Sequence, residues 1–340
     1  RKILLLLASW VFYGAWDWRF VALLIGSAML NWGVARLIER SDAPATRRAL
    51  IWIGVAANLA ILGFFKYFDF FVEQAGVLLA ALGWARDLPL LQIVLPVGVS
   101  FFTFQGISYV VDVHRGRVRA AGLLDITLLM SFFPHLVAGP IVRASDLLPQ
   151  FARVPRIDRG TVSIGLVLIL WGLFKKAVIA SELSVGLVDP VFFDPAAHGR
   201  IDLIAAAYGY AVQIYCDFSA YSDMAIGIAA LLGYRFPHNF NQPYRAASLQ
   251  DFWRRWHISL SSWLRDYLYI PLGGSRGSAL YACRNLMITM LLGGFWHGAK
   301  WTFLIWGGLH GAVLSLERLW RDFRPAGWPT LPRPIGILVT

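Results

Sequence analysis

Charge is scarce in this chain of 340 residues. Asp, Glu, Lys and Arg together make up 15%, against about 25% in soluble globular proteins. Cysteine is nearly absent: Cys216 and Cys283 are the only two. They cannot build a disulfide framework or a thiolate zinc site. There is no internal repeat of the kind that marks inverted-repeat transporters. Acidic residues are the rarer sign, giving a net charge of +11. The basic residues form no continuous stripe, which argues against a nucleic-acid partner. They sit between apolar runs and read as loops held at the cytoplasmic face of a membrane.

What fills the chain is apolar. Hydrophobic residues make up 58% and the mean hydropathy is +0.58. That exceeds what a buried core needs, excludes a secreted soluble protein, a disordered chain or a coiled coil, and indicates an all-α polytopic membrane protein. About twenty apolar residues cross a bilayer as a helix. Ile3 to Ala15, Phe20 to Ile38, Ile51 to Phe65, Leu91 to Val111, Thr161 to Ile179 and Ile201 to Leu232 are read as spans. Leu286 to Trp296 and Trp301 to Leu316 form a final pair broken at Gly298. The basic clusters at 36–48, 115–119, 143–159 and 235–284 are expected mostly on one side. That requirement makes Phe70 to Trp84 and Leu123 to Val137 re-entrant or interfacial helices. Lys66-Tyr67-Phe68-Asp69 reads as an interfacial end to the third span. Several re-entrant segments imply an enclosed cavity, since irregular backbone at membrane depth needs protein or water around it. Fifteen Trp and twelve Tyr suit interfacial belts.

The segment 242–284 stands apart. From Ser248 to Tyr267 the apolar residues Leu249, Phe252, Trp253, Trp256, Leu260, Trp263, Leu264 and Tyr267 recur at helical spacing. The arginines fall opposite, which is the pattern of a basic amphipathic helix at a membrane surface. Ser248 is its N-cap. His257 lies at the edge of the stripe, either as a functional imidazole or as an interfacial histidine bonded to backbone or lipid. The second cluster is Gly293-Gly294-Phe295-Trp296-His297-Gly298-Ala299. An ionisable residue between long apolar runs marks a functional site, and a neutral imidazole can accept a proton. His310 lies on the following span and reads equally as helix-packing glue. The spacing of 257, 297 and 310 matches no zinc signature, so no metal is expected. Asp217 and Asp223 either line a cavity or orient another polar group. Arg254, Arg255 and Arg265 face anionic lipid or an anionic substrate.

At these two motifs the chain resembles the membrane-bound O-acyltransferase family, in its bacterial alginate O-acetylase branch. The residues that carry the likeness are Asp251 to Ser261, Arg265 to Gly274 and Gly293 to Ala299, with Trp306 to Gly311, Val97 to Gln105 and Val137 to Arg143. His135 stands where glutamine is expected. The resemblance implies a single membrane domain over 1–340, a helical bundle around a transmembrane funnel in the bacterial inner membrane. Residues 242–284 would form a cytoplasmic-side segment carrying His257, and 285–320 a helix pair carrying His297 and His310. It implies that both ends are truncated relative to family members.

The family's catalytic histidine falls at His297 and its second active-site position at His257. Arg254, Arg255, Trp296, Asp217 and His310 are the candidate substrate-binding residues. No bound cofactor is implied. Acetyl-CoA would be the acyl donor, entering from the cytoplasm, with membrane lipids around the chain. A periplasmic acetyltransferase partner would engage the polysaccharide acceptor. D-alanyl or peptidoglycan O-acyl transfer is the alternative chemistry, and a transporter using Asp217, Asp223 and His297 as an ion relay is the non-enzymatic one.

Overall fold

The computed structural model describes residues 1–84 and 88–325. The described residues form helices and no strands. The apolar tail Ile335 to Val339 and the last part of the 1–340 domain lie outside them. Helices α1 (Lys2–Asp17) and α2 (Arg19–Arg40) meet at a turn on Trp18, where the sequence places it.

The third helix differs from expectation. α3 (Pro44–Ala81) runs unbroken for 38 residues, about 57 Å at 1.5 Å per residue. It neither ends at Lys66 nor leaves Phe70 to Trp84 as a separate interfacial helix. Gly63–Tyr67 forms a wide turn inside it, and wide turns of this kind absorb an extra residue without breaking a helix. After α3 the expected span from Leu91 is not helical until Val99. The Asp69 carboxylate accepts the Leu91 and Ile93 amides, each at 3.0 Å, and the Tyr13 hydroxyl donates to the Val97 carbonyl at 2.7 Å. Side chains thus satisfy backbone that would otherwise need helical partners.

α4 (Val99–His114) is the central helix, with all its residues except Phe101 and His114 buried. It packs against α2 and α3. α5 (Leu123–Ser131) and α6 (Phe133–Leu136) follow, short and largely buried. At nine residues, α5 is about 14 Å long and cannot cross a bilayer. α7 is Ala144–Phe151. α8 (Arg159–Phe193) extends for 35 residues, well past the expected end at Ile179, and packs along α9 (Arg200–Leu231). The lysines do not terminate α8, because α9 neutralises them: Lys175 pairs with Asp223 at 2.7 Å and Lys176 pairs with Asp217. Among the described residues three helices, α2, α3 and α8, are long and apolar enough to cross a membrane.

The amphipathic stretch from Ser248 is two helices. α10 (Leu249–Arg255) and α11 (Ile258–Leu264) are separated at Trp256 and His257, and a wide turn, Arg265–Tyr269, continues α11. The basic clusters meet through their contacts. Arg47 donates to the His114 carbonyl, Arg115 to the Asp266 carbonyl and Arg143 to the Asp266 carboxylate. Gln150 and Arg235 bond through their backbone and amide groups. Burial opposes the charge on Asp266, but hydrogen bonds from Arg265 and Arg143 outweigh it and hold that carboxyl below its usual range.

The final pair, α12 (Ala279–His297) and α13 (Trp301–Phe323), crosses at glycines. A Cβ on Gly307 would stand 2.3 Å from the Met290 carbonyl oxygen, and one on Gly294 2.3 Å from that of Phe303. Such small-residue contacts are what hold helices together in lipid. Gly308, whose nearest neighbour to an added Cβ is Leu291 at 3.6 Å, has room. Gly307→Ala should therefore lower the thermal midpoint in detergent, by an amount corresponding to about 1–3 kcal/mol of overpacking, while Gly308→Ala leaves it unchanged or slightly raised.

Candidate active site

α12 ends where the site begins. Gly298 is extended, and a Cβ there would lie 2.2 Å from the Phe303 ring, so only glycine lets the chain turn this tightly into α13. The last carbonyls of a helix lack intrahelical partners. Here the wide turn of α3 supplies them: the Tyr67 hydroxyl donates to the Phe295 carbonyl at 3.0 Å and the Lys66 ammonium donates to the Trp296 carbonyl. This end carries His297, half-buried, with its ring 5.1 Å from the Trp296 ring and 5.3 Å edge-on from the Trp306 ring.

His257 comes from the break between α10 and α11. Its backbone is left-handed, with φ 42° and ψ 54°. For a residue with a side chain that conformation costs roughly 1–2 kcal/mol. Asn239 holds the break open. Its carbonyl accepts the Ile258 amide at 2.9 Å, and its side-chain oxygen accepts the Ser259 amide and hydroxyl. The Asn239 amide donates to Ser222 on α9 at 3.0 Å. The imidazole is 1% exposed. It packs edge-on to Phe218 of α9 at 4.6 Å, and its ring centre is 6.3 Å from that of Trp296. Neither ring nitrogen has a hydrogen-bond partner among the described residues. A buried polar group left unpaired costs about 1–3 kcal/mol, so strain and desolvation coincide at this one residue. Such coincidences cluster at functional positions.

Trp296 joins the two histidines. Its indole stacks on Phe104 of α4 at 5.1 Å, and Phe104 stacks in turn on Trp263 of α11 at 3.8 Å and an interplanar angle of 3°. The indole nitrogen of Trp296 is buried and has no partner among the described residues. His310 takes a supporting place: Trp253 donates to its Nδ1 at 3.3 Å, and its ring lies 4.6 Å from Trp306. A chain of rings therefore leads from Trp253 through His310 and Trp306 to His297.

Trp253 also lines a cavity of about 340 Å³, together with Arg254, Arg265, Glu317, Arg318 and Arg321. Glu317 of α13 accepts the Leu249 and Gln250 amides at 2.6 and 3.1 Å, so one carboxylate caps α10 and fixes Arg254 at the cavity wall. The expected substrate-binding set separates here. Arg254 faces the cavity, whereas Arg255 is engaged by Asp251 at 2.9 Å and by the Asn241 carbonyl. Asp217 is held by Lys176. Its neighbour Phe218 is the residue of α9 that reaches His257. Among the described residues no cluster of His, Cys, Asp and Glu is arranged to hold a metal.

Residues 119–337 match the membrane-bound O-acyltransferase family. The chain belongs to that family. Within it, the chain is 45% identical over 324 residues to the probable alginate O-acetylase AlgI of Pseudomonas aeruginosa, covering 94% of this chain and 61% of that protein. It is 39% identical to the peptidoglycan O-acetyltransferase of Helicobacter pylori, covering all of this chain and 68% of that one. The teichoic acid D-alanyltransferase of Streptococcus thermophilus is 27% identical over 269 residues, 72% of this chain and 65% of that protein. The chain spans about three fifths to two thirds of the length of the curated relatives it matches.

The sequence motifs single out the two histidines and Trp296, which the structure brings together, but not Lys66, Tyr67 and Phe218, which contact them or the helix end that carries them. The available signal at Lys66 is a single cation between the apolar run Ile51 to Phe65 and the aromatic stretch that holds Asp69, read as an interface instead of a helix interior. Because Asn tolerates left-handed backbone and β-branched residues do not, His257→Asn should keep the thermal midpoint within a few degrees. His257→Val should lower it by the equivalent of about 1–2 kcal/mol or more, as read by thermal unfolding in detergent.

Proposed function

We propose that this chain is the catalytic unit of a membrane O-acyltransferase of the bacterial inner membrane. It moves an acetyl group from a cytoplasmic thioester, acetyl-CoA, to a hydroxyl acceptor, ending in O-acetylation of an exopolysaccharide such as alginate. The observation that carries this reading is the convergence of His297 and the unpartnered His257 on one indole, Trp296. The names of the relatives support the class of reaction, since alginate O-acetylase, peptidoglycan O-acetyltransferase and teichoic acid D-alanyltransferase all describe acyl transfer. A periplasmic acetyltransferase partner passes the group to the polymer. The single membrane domain, with 242–284 on the cytoplasmic side, is part of the same proposal.

His297 acts as general base. It takes the acceptor's proton as the hydroxyl oxygen attacks the thioester carbonyl. A positioned base contributes about 10²–10⁴-fold. His257 orients the donor carbonyl or donates to its developing oxyanion, and substrate supplies the partner that its nitrogens lack in the folded chain. Arg254, with Arg265, Arg318 and Arg321 around the same cavity, meets the phosphates of CoA, for which a guanidinium fork is suited.

Release of CoA thiol from acetyl-CoA by the full-length protein, with acceptor or partner supplied, tests this. His297→Ala should lose about 10²–10⁴-fold of the rate, and retention of the rate would refute the assignment. Arg254→Ala should raise KM for acetyl-CoA by about ten-fold or more, as expected for one lost charge-assisted bond. Arg255→Ala should leave KM near its starting value. A second acceptor is favoured by the peptidoglycan O-acetyltransferase relative, which the whole chain matches. Mass analysis of surface polymers from a deletion strain decides between the two. Acetyl esters missing from the exopolysaccharide support the first acceptor, and esters missing only from peptidoglycan support the second.

A further inference from the structure

Lys66 sits in the middle of α3, far from either end of that helix, and its ammonium reaches the same indole as the two histidines. It lies 5.3 Å from the Trp296 ring centre, donates to the Trp296 carbonyl and is 3.2 Å from the Ser100 hydroxyl. The lysines of α8 offer a contrast, for both are paired with aspartates of α9. Among the described residues no carboxylate lies within ion-pairing distance of Lys66. A cation carried inside a long apolar helix without a counter-ion is expensive, and where such groups persist they mark function.

We propose that the Lys66 ammonium is the fixed counter-charge for the acyl-transfer step, facing the negative charge that develops on the thioester carbonyl oxygen. This rests on the acyl-transfer reading above. In that step the acceptor oxygen forms a bond to the carbonyl carbon while its proton passes to His297. The carbonyl π pair moves onto oxygen. Collapse of the intermediate re-forms the carbonyl, breaks the carbon–sulfur bond and expels the CoA thiolate, which takes the proton from the imidazolium. An alcohol and a thioester become an ester and a thiol. Negative charge exists on the carbonyl oxygen only between the first and last events. A cation that has no carboxylate counter-ion among the described residues therefore favours the intermediate over the ground state, which is the condition for raising kcat.

The surroundings keep that cation in place beforehand. An ammonium has three donors, and its two polar contacts leave one unused. The carbonyl end of α12 is the negative end of a helix dipole, where a cation is well placed. The charge is thus set in advance and need not reorganise during reaction, which is what makes such groups effective in a water-poor site.

The test is a series at one position in the full-length protein reconstituted in proteoliposomes. kcat and KM for acetyl-CoA are measured with an alginate oligosaccharide as acceptor, alongside the thermal midpoint. Lys66→Arg keeps the charge. Lys66→Gln keeps a donor for the Trp296 carbonyl but not the charge, and Lys66→Met keeps neither. The arginine variant should stay within about five-fold of the starting kcat. The glutamine and methionine variants should lose about 10²–10³-fold, with KM within about three-fold and the midpoint of the glutamine variant unchanged. Normal turnover by Lys66→Gln would show that the clamp suffices and overturn the proposal. So would an equal loss in all three variants with lowered midpoints, which would mark a structural role. Absence of CoA release by the unsubstituted protein overturns the acyl-transfer reading itself, whereas an active His297→Ala overturns only the choice of base. An inactive His297→Ala beside a fully active Lys66→Gln overturns only the counter-charge.

Discussion

The site depends on how one helix end is closed. α12 stops at His297, where Gly298 turns to extended backbone, and the carbonyls this leaves open are taken by Lys66 and Tyr67 from a different helix. Everything else that approaches the histidine is hung from that junction. Trp296 is pinned between the clamp and Phe104, Trp306 of the next helix lies against the imidazole, and His257 reaches the far edge of the same indole. A helix terminus left to lipid would have to satisfy its own carbonyls, which is unfavourable in hydrocarbon. Closing it with side chains from α3 turns that constraint into a way of fixing a functional group.

The second constraint is the strained backbone at His257. A continuous amphipathic helix from Ser248 to Tyr267 would point this side chain according to a regular 100° step. The break at Trp256 and His257 instead buries the ring against Phe218. The network through Asn239, Ser222 and Ser259 offsets the cost by satisfying the backbone groups the break exposes. Polar satisfaction around the residue, with none at its ring nitrogens, is the pattern of a group held ready for something that is not part of the chain.

Much of this was legible in the sequence, and the exceptions have physical reasons. The apolar excess and the glycine-flanked histidine follow from composition and spacing. The N-cap at Ser248 and the pairing of α12 with α13 were readable as local signals. Helix ends were less legible where a charge seemed to mark them. Lys66 and Lys175-Lys176 look like interfacial anchors in one dimension, yet both lie inside longer helices, because carbonyls or carboxylates on other helices receive them. The break at His257 was hidden because left-handed backbone is normally announced by Gly or Asn, and here a network distant in sequence imposes it. Arg254 and Arg255 could not be told apart from spacing. Asp251, one turn upstream, decides that Arg255 is occupied.

α4 carries a consequence for how the protein is made. Its flanks are covered by other helices along nearly its whole length, and the stretch before it is irregular, with Asp69 and Tyr13 satisfying its backbone. Such an element has almost no surface to offer acyl chains and cannot be released sideways from the insertion machinery as an independent span. It must enter the bilayer already escorted by α2 and α3, so these neighbours act as its first solvent. The order in which the ribosome delivers the helices, the two escorts before the one they shelter, matches that need.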